Sequence, residues 1–468
     1  MTDPKKLSRR EFFERGGGLA AGAAAAAGLG ASKHSRAETG TLYEGQEGRL
    51  RTVLVGTGNR GTSMWGSALV EPYADYVRMV GLCDINTKRV EVGKELIGTD
   101  APTYGAAEFE TMIDERDPDL VIVATTDCFH ADYAVRAMEM GCDVLSEKPL
   151  ATTAQQCQRI LDAEQRTGRT VKVGFNARHM ASAEEIMRTL RSGELGRIVS
   201  AEFDEYLDVY HGASYFRRWH GKKRYSGSLL VHKASHHFDK MNWWLDADPV
   251  RVQAQGKVDF YGSNNEFRSE KCRGCEFQDE CDFYYDITEN ERYRRLYVEC
   301  EDEDGYHRDG CVWDTDVTSY DAMTVEVEYE NGVLLAYTLN AYMPYEGQRI
   351  AFNGTDGRLD VRKYARQSWE VPYEAELRLS KSFGESRRWT LGDEGEVDQG
   401  QGGHGGADPG LKDLLFVPET PDPLDQQAGS RAGVMASLIG IAARRSIETG
   451  EPVRIDDLID LPVEWDWG

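Results

Sequence analysis

The chain has 468 residues, 40% hydrophobic and 29% charged, a globular composition long enough for two domains and unlike that of a fibrous or disordered protein. Its 80 acidic and 55 basic residues give a formal charge of -25. That balance excludes the basic face on which nucleic-acid binding depends and fits a well-solvated acidic surface. Residues 1–37 read as an export signal: Lys5 and Lys6 precede Ser8-Arg9-Arg10-Glu11-Phe12-Phe13, and a weakly apolar Gly/Ala run extends from Gly16 to Ala31. The twin-arginine translocation machinery is the expected partner, with a linker over 38–48 and a mature protein outside the cytoplasmic membrane, periplasmic or extracellular. No later stretch is apolar for the ~20 residues of a membrane span.

From 49 to 175 the pattern predicts a doubly wound parallel sheet. Residues 53–61 read VLVGTGNRG, a strand followed by a G-x-G-x-x-G loop and a helix reaching Tyr73. Gly56, Gly58 and Gly61 let the backbone turn and approach a pyrophosphate, and Asn59 and Arg60 lie at the helix N-terminus that faces it. The next strand, VRMVGLCD, ends at Asp84, about 20 residues past the loop, where an acid takes both hydroxyls of an adenosine ribose. That favours NAD, with NADP the alternative because Lys88 and Arg89 are close.

Residues 120–126 form a continuous apolar strand, as burial on both faces requires, and its end carries Thr125, Thr126, Asp127 and His130. Ligands of open parallel sheets bind at such ends. A helix from Ala131 to Met140 and a strand over 143–145 lead into Glu147-Lys148-Pro149. Lys148 is thus a cation at a strand's carboxyl end, where a nicotinamide ring and its substrate meet. A further βα unit, ending at Gly174, completes the Rossmann sheet.

The GTGNRG loop, Asp84, the Thr125-Thr126 end with His130, SEKPL at 146–150 and GFNARH at 174–179 together resemble the glucose-fructose oxidoreductase/inositol dehydrogenase/MocA family. The resemblance covers nearly the whole mature chain. It implies a C-terminal α/β domain over 176–468 with a large open, mostly antiparallel sheet, and a homo-oligomer. Runs at 199–203, 322–329 and 333–340 alternate as such strands should, with a hairpin signal at Asn331-Gly332.

The resemblance further implies an NAD(P)-dependent oxidoreductase acting on a sugar, polyol or related carbohydrate. In it Lys148 touches cofactor and substrate hydroxyl, Glu147 and Asn176 stand beside the cofactor, and His236 takes or relays the proton. The family has an Asp four residues before that histidine; this chain has His232, on the same helical face but with an imidazole in place of a carboxylate. Arg178, Tyr206, Arg217, Trp219 and His220 offer the forks, hydroxyls and ring faces that suit a carbohydrate. His404 lies in a glycine-rich loop that reads either as a cover for the site or as a plain flexible loop.

Export of a folded protein implies a cofactor loaded beforehand and tightly held, so turnover must regenerate it in place. Two rivals to net oxidation follow: an NAD-dependent glycosidase or epimerase using transient ring oxidation, and a non-catalytic binding protein that keeps the nucleotide fold. Of nine cysteines, Cys83, Cys128, Cys142 and Cys157 read as buried thiols. Cys272, Cys275, Cys281, Cys300 and Cys311 lie in a charged, aromatic insertion over 265–316, where disulfides suit an exported protein and four thiols suit structural zinc.

Overall fold

The computed structural model describes Leu42, residues 48–392 and residues 406–461. The export signal read over 1–37 and His404 lie outside the described residues.

Six strands form the first sheet: β1 (Leu50–Val55), β2 (Val77–Asp84), β3 (Thr103–Gly105), β4 (Leu120–Val123), β5 (Asp143–Ser146) and β6 (Val171–Val173). They run parallel in the order β3-β2-β1-β4-β5-β6. Both faces are covered, which is why the β1 and β4 runs contain no polar alternation. Val53, Val55, Val121 and Val123 pack under helices Phe109–Arg116 and His130–Glu139, whereas Leu54 and Ile122 face Met64, Trp65 and Val90. Leu411, Leu415 and Phe416, from the distant helix Ala407–Phe416, join that second cluster.

The second sheet holds nine strands: β7 (Ile198–Asp208), β8 (Pro249–Lys257), β9 (Ala322–Tyr329), β10 (Leu334–Met343), β11 (Glu346–Gly354), β12 (Gly357–Arg366), β13 (Ala375–Lys381), β14 (Ser386–Leu391) and β15 (Val453–Arg454). Their order is β14-β13-β12-β11-β7-β10-β9-β8-β15; only β7 and β10 pair in parallel. The architecture is therefore α/β, a parallel Rossmann sheet and a mostly antiparallel one. Along β7 the period of two buries Phe203, Glu205 and Leu207 on the inner face and turns Asp204 and Tyr206 outward. Helices Ser235–Leu245 and Ser430–Thr449 pack together on the inner side, and the latter also reaches β6. Among the described residues no helix is long and apolar enough to cross a membrane.

Between β8 and β9 the chain leaves the sheet. Its short turns at Ile287–Glu289, Glu291–Tyr293, Arg294–Val298 and Glu301–Asp304 cross to the carboxyl edge of the first sheet. Ile287, Leu296 and Tyr297 pack there against Val92 and Leu96 of helix Thr87–Ile97.

Candidate active site

The glycine loop has the three properties a dinucleotide cradle needs. Gly56 adopts φ +95°, and a Cβ there would lie 2.5 Å from Ala124 O; at Gly61 a Cβ would lie 1.9 Å from Gly56 O. The first glycine therefore turns the chain hard against β4 and the third seats the helix on the loop. Gly58 meets no backbone, its nearest neighbour being the Tyr297 hydroxyl, 3.3 Å from a Cβ. Asp84 ties the loop to the tip of β2, accepting from Thr57 N–H at 2.7 Å and from Asn86 N–H at 2.9 Å. These residues fit a dinucleotide.

The insertion bridges this crevice. Asn59 N–H donates to the Tyr297 hydroxyl at 2.7 Å, and Arg292 donates to Asn59 Oδ1 at 3.1 Å and to the Thr62 hydroxyl. At the other end, Glu303 accepts from the N–H groups of Thr87 and Lys88 at 2.8 and 2.9 Å. Arg89 joins Asp84 at 3.4 Å to Asp304 at 2.7 Å, and Lys88 Nζ lies 2.6 Å from Asp302. The insertion thus spans from the glycine loop to the acid at the tip of β2.

The expected cofactor contacts near the loop are partly committed elsewhere. The Arg60 guanidinium meets Glu147 at 2.5 Å and Asp408 at 3.4 Å, and Asn176 Nδ2 donates to Asp408 Oδ1 at 2.5 Å. Glu147 also accepts from Trp65 Nε1 at 2.8 Å. Burial opposes ionisation of Glu147, but the charges of Arg60 and Lys148 outweigh it and hold the carboxyl below its usual range. His130 places one ring nitrogen 2.8 Å from Pro149 O and the other 3.2 Å from Thr125 O, so it braces the ends of β4 and β5. Thr125 and Thr126 lie at that strand mouth.

Lys148 Nζ donates to His232 O at 3.0 Å. Burial lowers its ammonium to about 8, against the pull of Asp127 and Glu147, with Lys233 and Arg60 adding repulsion. His232 Nδ1 lies 2.6 Å from Asp127 Oδ2, so a carboxyl group from the end of β4 stands beside the imidazole found where the resemblance implies an acid. Burial pushes the Asp127 carboxyl up and, together with the Lys148 charge, the His232 imidazole well down, which keeps the ring neutral. His220 stacks on Trp219 at 3.6 Å and meets His232 edge-on at 4.2 Å. Behind them Lys233 Nζ lies 3.5 Å from Glu205, which also approaches His237 at 3.4 Å.

Several expected substrate contacts lie elsewhere. Arg178, 1% exposed, grips Asp239 with Nε at 2.9 Å and Nη2 at 2.6 Å and donates to Gln427 O at 2.9 Å, a structural role. Tyr206 is on the outer face of β7, where its hydroxyl reaches Asp204 at 3.3 Å. Arg217 donates to Phe283 O and lies 5.4 Å over the Tyr285 ring; the neighbouring Arg218 approaches the site instead. His236 is not among these displaced residues: its ring lies edge-on to Phe175 at 6.1 Å, but it opens helix Ser235–Leu245 whereas His232 closes helix Leu229–His232, so the two do not share the one helix expected. Sequence reasoning placed Asp127 at a ligand-binding strand end without assigning it a role, and missed Tyr297 altogether. The position of Asp127 at a strand's carboxyl end was the available signal for it; nothing local marked Tyr297.

The metal reading of the insertion cysteines finds no support. Among the described residues no three His, Cys, Asp or Glu groups gather as a metal site, and all nine cysteines are free thiols. Cys300 is drawn toward the nucleotide sheet, its carbonyl accepting from Asn86 Nδ2 at 2.8 Å and its Sγ lying 3.2 Å from Arg295 O.

Comparison with known proteins agrees with this geometry. The family model for the NAD-binding Rossmann fold of the GFO_IDH_MocA oxidoreductases matches residues 50–175, and that for their C-terminal alpha/beta domain matches residues 188–455. The Bacillus subtilis protein YteT is 33% identical over 430 residues, covering 87% of this chain and 98% of that one. An inositol 2-dehydrogenase of Salmonella typhimurium is 30% identical over 178 residues, 38% of this chain and 49% of that protein. The aldose-aldose oxidoreductase of Caulobacter crescentus shares the fold at TM-score 0.57 and 16% identity, over 87% of this chain and 99% of that one.

Proposed function

This chain belongs to the glucose-fructose oxidoreductase/inositol dehydrogenase/MocA family of oxidoreductases, and from that premise we propose that it is an exported NAD-dependent enzyme oxidising a CH–OH group of a sugar or polyol with a tightly held cofactor. The observation that carries the reading is Lys148. Its amine, lowered to about 8, stands at the carboxyl edge of β5 between the glycine loop's network and the Asp127–His232 pair. A dinucleotide held by the glycine loop would supply the hydride acceptor. Loss of hydride from carbon requires loss of the hydroxyl proton, and the neutral amine of Lys148 is the group poised to take it. Asp127 holds His232, whose carbonyl orients Nζ, so the pair positions the base.

NAD is favoured over NADP because both cations near the ribose acid already have carboxylate partners, Lys88 with Asp302 and Arg89 with Asp84 and Asp304. A 2′-phosphate would have to displace them. Denaturing the purified protein should release NAD(H), and adding inositols or free aldoses should reduce the bound nucleotide. Release of no nucleotide, with none bound when offered, would sink the proposal. Aglycone release from aryl glycosides without net reduction would move the assignment to the transient-oxidation chemistry.

The insertion supports the reading of a tightly held cofactor. Because its residues bond both ends of the crevice, a bound dinucleotide leaves only when they part. Tyr297→Ala combined with Arg292→Ala should speed nucleotide dissociation at least ~10-fold, each lost hydrogen bond to a charged or phosphate-loop group being worth about 1.5 kcal/mol. An unchanged rate in a stopped-flow release assay would refute that role. Export is tested by fractionation: replacing Arg9 and Arg10 by lysine should leave the protein in the cytoplasm, and undiminished export would remove the twin-arginine assignment.

A further inference from the structure

Two arginines beside the catalytic cluster lack counter-ions. Arg218 follows helix Val209–Phe216, with Nε 2.5 Å from Ser214 O and its guanidinium 5.5 Å from the Tyr215 ring centroid. Tyr215 meets His220 and His232 edge-on, each at 5.4 Å, so a single ring separates Arg218 from the groups around Lys148. Arg308 comes from the insertion, 4.3 Å over the Tyr293 ring and 4.6 Å over that of Tyr297. The two guanidinium charges repel each other, and both bear on His220.

Among the described residues neither guanidinium has a carboxylate oxygen within 4.0 Å. The nearby carboxylates are already taken, Glu205 by Lys233, Glu346 by His211 and Asp127 by His232. A chain with 80 acidic and 55 basic residues does not lack acids to place there. Ser214 holds Arg218 and Tyr293 holds Arg308, but these neutral partners leave both partly buried charges unneutralised, and a guanidinium fork matches a planar carboxylate or a phosphate.

We propose that the substrate is an anionic sugar whose carboxylate or phosphate is held by Arg218 and Arg308, an inference that rests on the oxidoreductase reading above. Lys148 then handles the reacting hydroxyl while the arginines fix the charged end of the same molecule.

The test uses the full-length protein with its nucleotide bound and compares a neutral aldose, the corresponding hexuronate and the hexose 6-phosphate by nucleotide reduction. One anionic sugar should exceed the neutral aldose in kcat/KM by on the order of 10- to 100-fold. A uronate preference assigns the carboxylate, and a phosphate-ester preference assigns the phosphate. Arg308→Met should collapse the anionic-to-neutral ratio toward unity, and Arg308→Lys should retain part of it. If Arg308→Met does not fold, the comparison on the unaltered protein decides alone.

Equal kcat/KM for neutral and anionic sugars would overturn the proposal and leave the oxidoreductase reading standing. So would faster nucleotide release from Arg308→Met with the ratio intact, which would assign the cation to the dinucleotide's pyrophosphate. Reduction by neither class of sugar nor by an inositol would overturn both.

Discussion

Lys148→Met should keep its nucleotide and lose turnover by about 10²–10⁴-fold, the usual contribution of a positioned general base. The side chain sits where a proton must leave, and burial has already brought its amine to about 8. The neutral, proton-accepting form therefore dominates above pH about 8, and kcat/KM for oxidation should rise with pH through that value. Lys148→Arg keeps the positive charge and the reach toward His232 O but stays protonated, so it should abolish that limb without recovering activity. A Lys148→Met enzyme with an unaltered rate and pH profile would remove the lysine from the chemistry. Asp127→Asn separates positioning from proton transfer: with the Asp127–His232 contact altered, kcat should fall, while the Lys148 limb survives but moves below pH 8 because the pull of Asp127 on the ammonium is gone.

Arg178→Ala should destabilise the protein by about 3–5 kcal/mol, the cost of stranding one member of a buried ion pair. Arg178 and Asp239 are each 1% exposed, and the guanidinium also closes on the 427 carbonyl, so removing it leaves a carboxylate in the interior. Replacing both partners by apolar residues, Arg178→Met with Asp239→Leu, should recover much of the loss, because no unpaired charge then remains. Urea titration measures both variants. A single substitution costing under 1 kcal/mol would show that water reaches the carboxylate. The variant's role is structural, so folded Arg178→Ala should keep the pH profile of Lys148.

Several features were legible in the linear chain because they express local backbone demands. Gly56 and Gly61 stand where any side chain would collide with backbone, and the apolar runs of β1 and β4 are what doubly covered strands require. Lys148 was found the same way, by its place at a strand's end. Local spacing failed where two neighbours compete for one direction. Arg217 and Arg218 have the same chemistry, and only the turn after helix Val209–Phe216 decides which faces the site. Tyr206 fails for the complementary reason: β7 alternates, and the register places Glu205 inward and Tyr206 outward.

The nucleotide fold, the glycine loop and the lysine at the strand end can be read from the linear chain, since each depends on contacts within one βα unit. Folding of the two layers brings Asp127 to His232 across 105 residues and Asp408 to Arg60 across 348, and lays the insertion over the crevice rather than on the surface. Those pairings depend on which charges two folded layers bring together, and electrostatic partners chosen by packing leave no periodic mark in the chain.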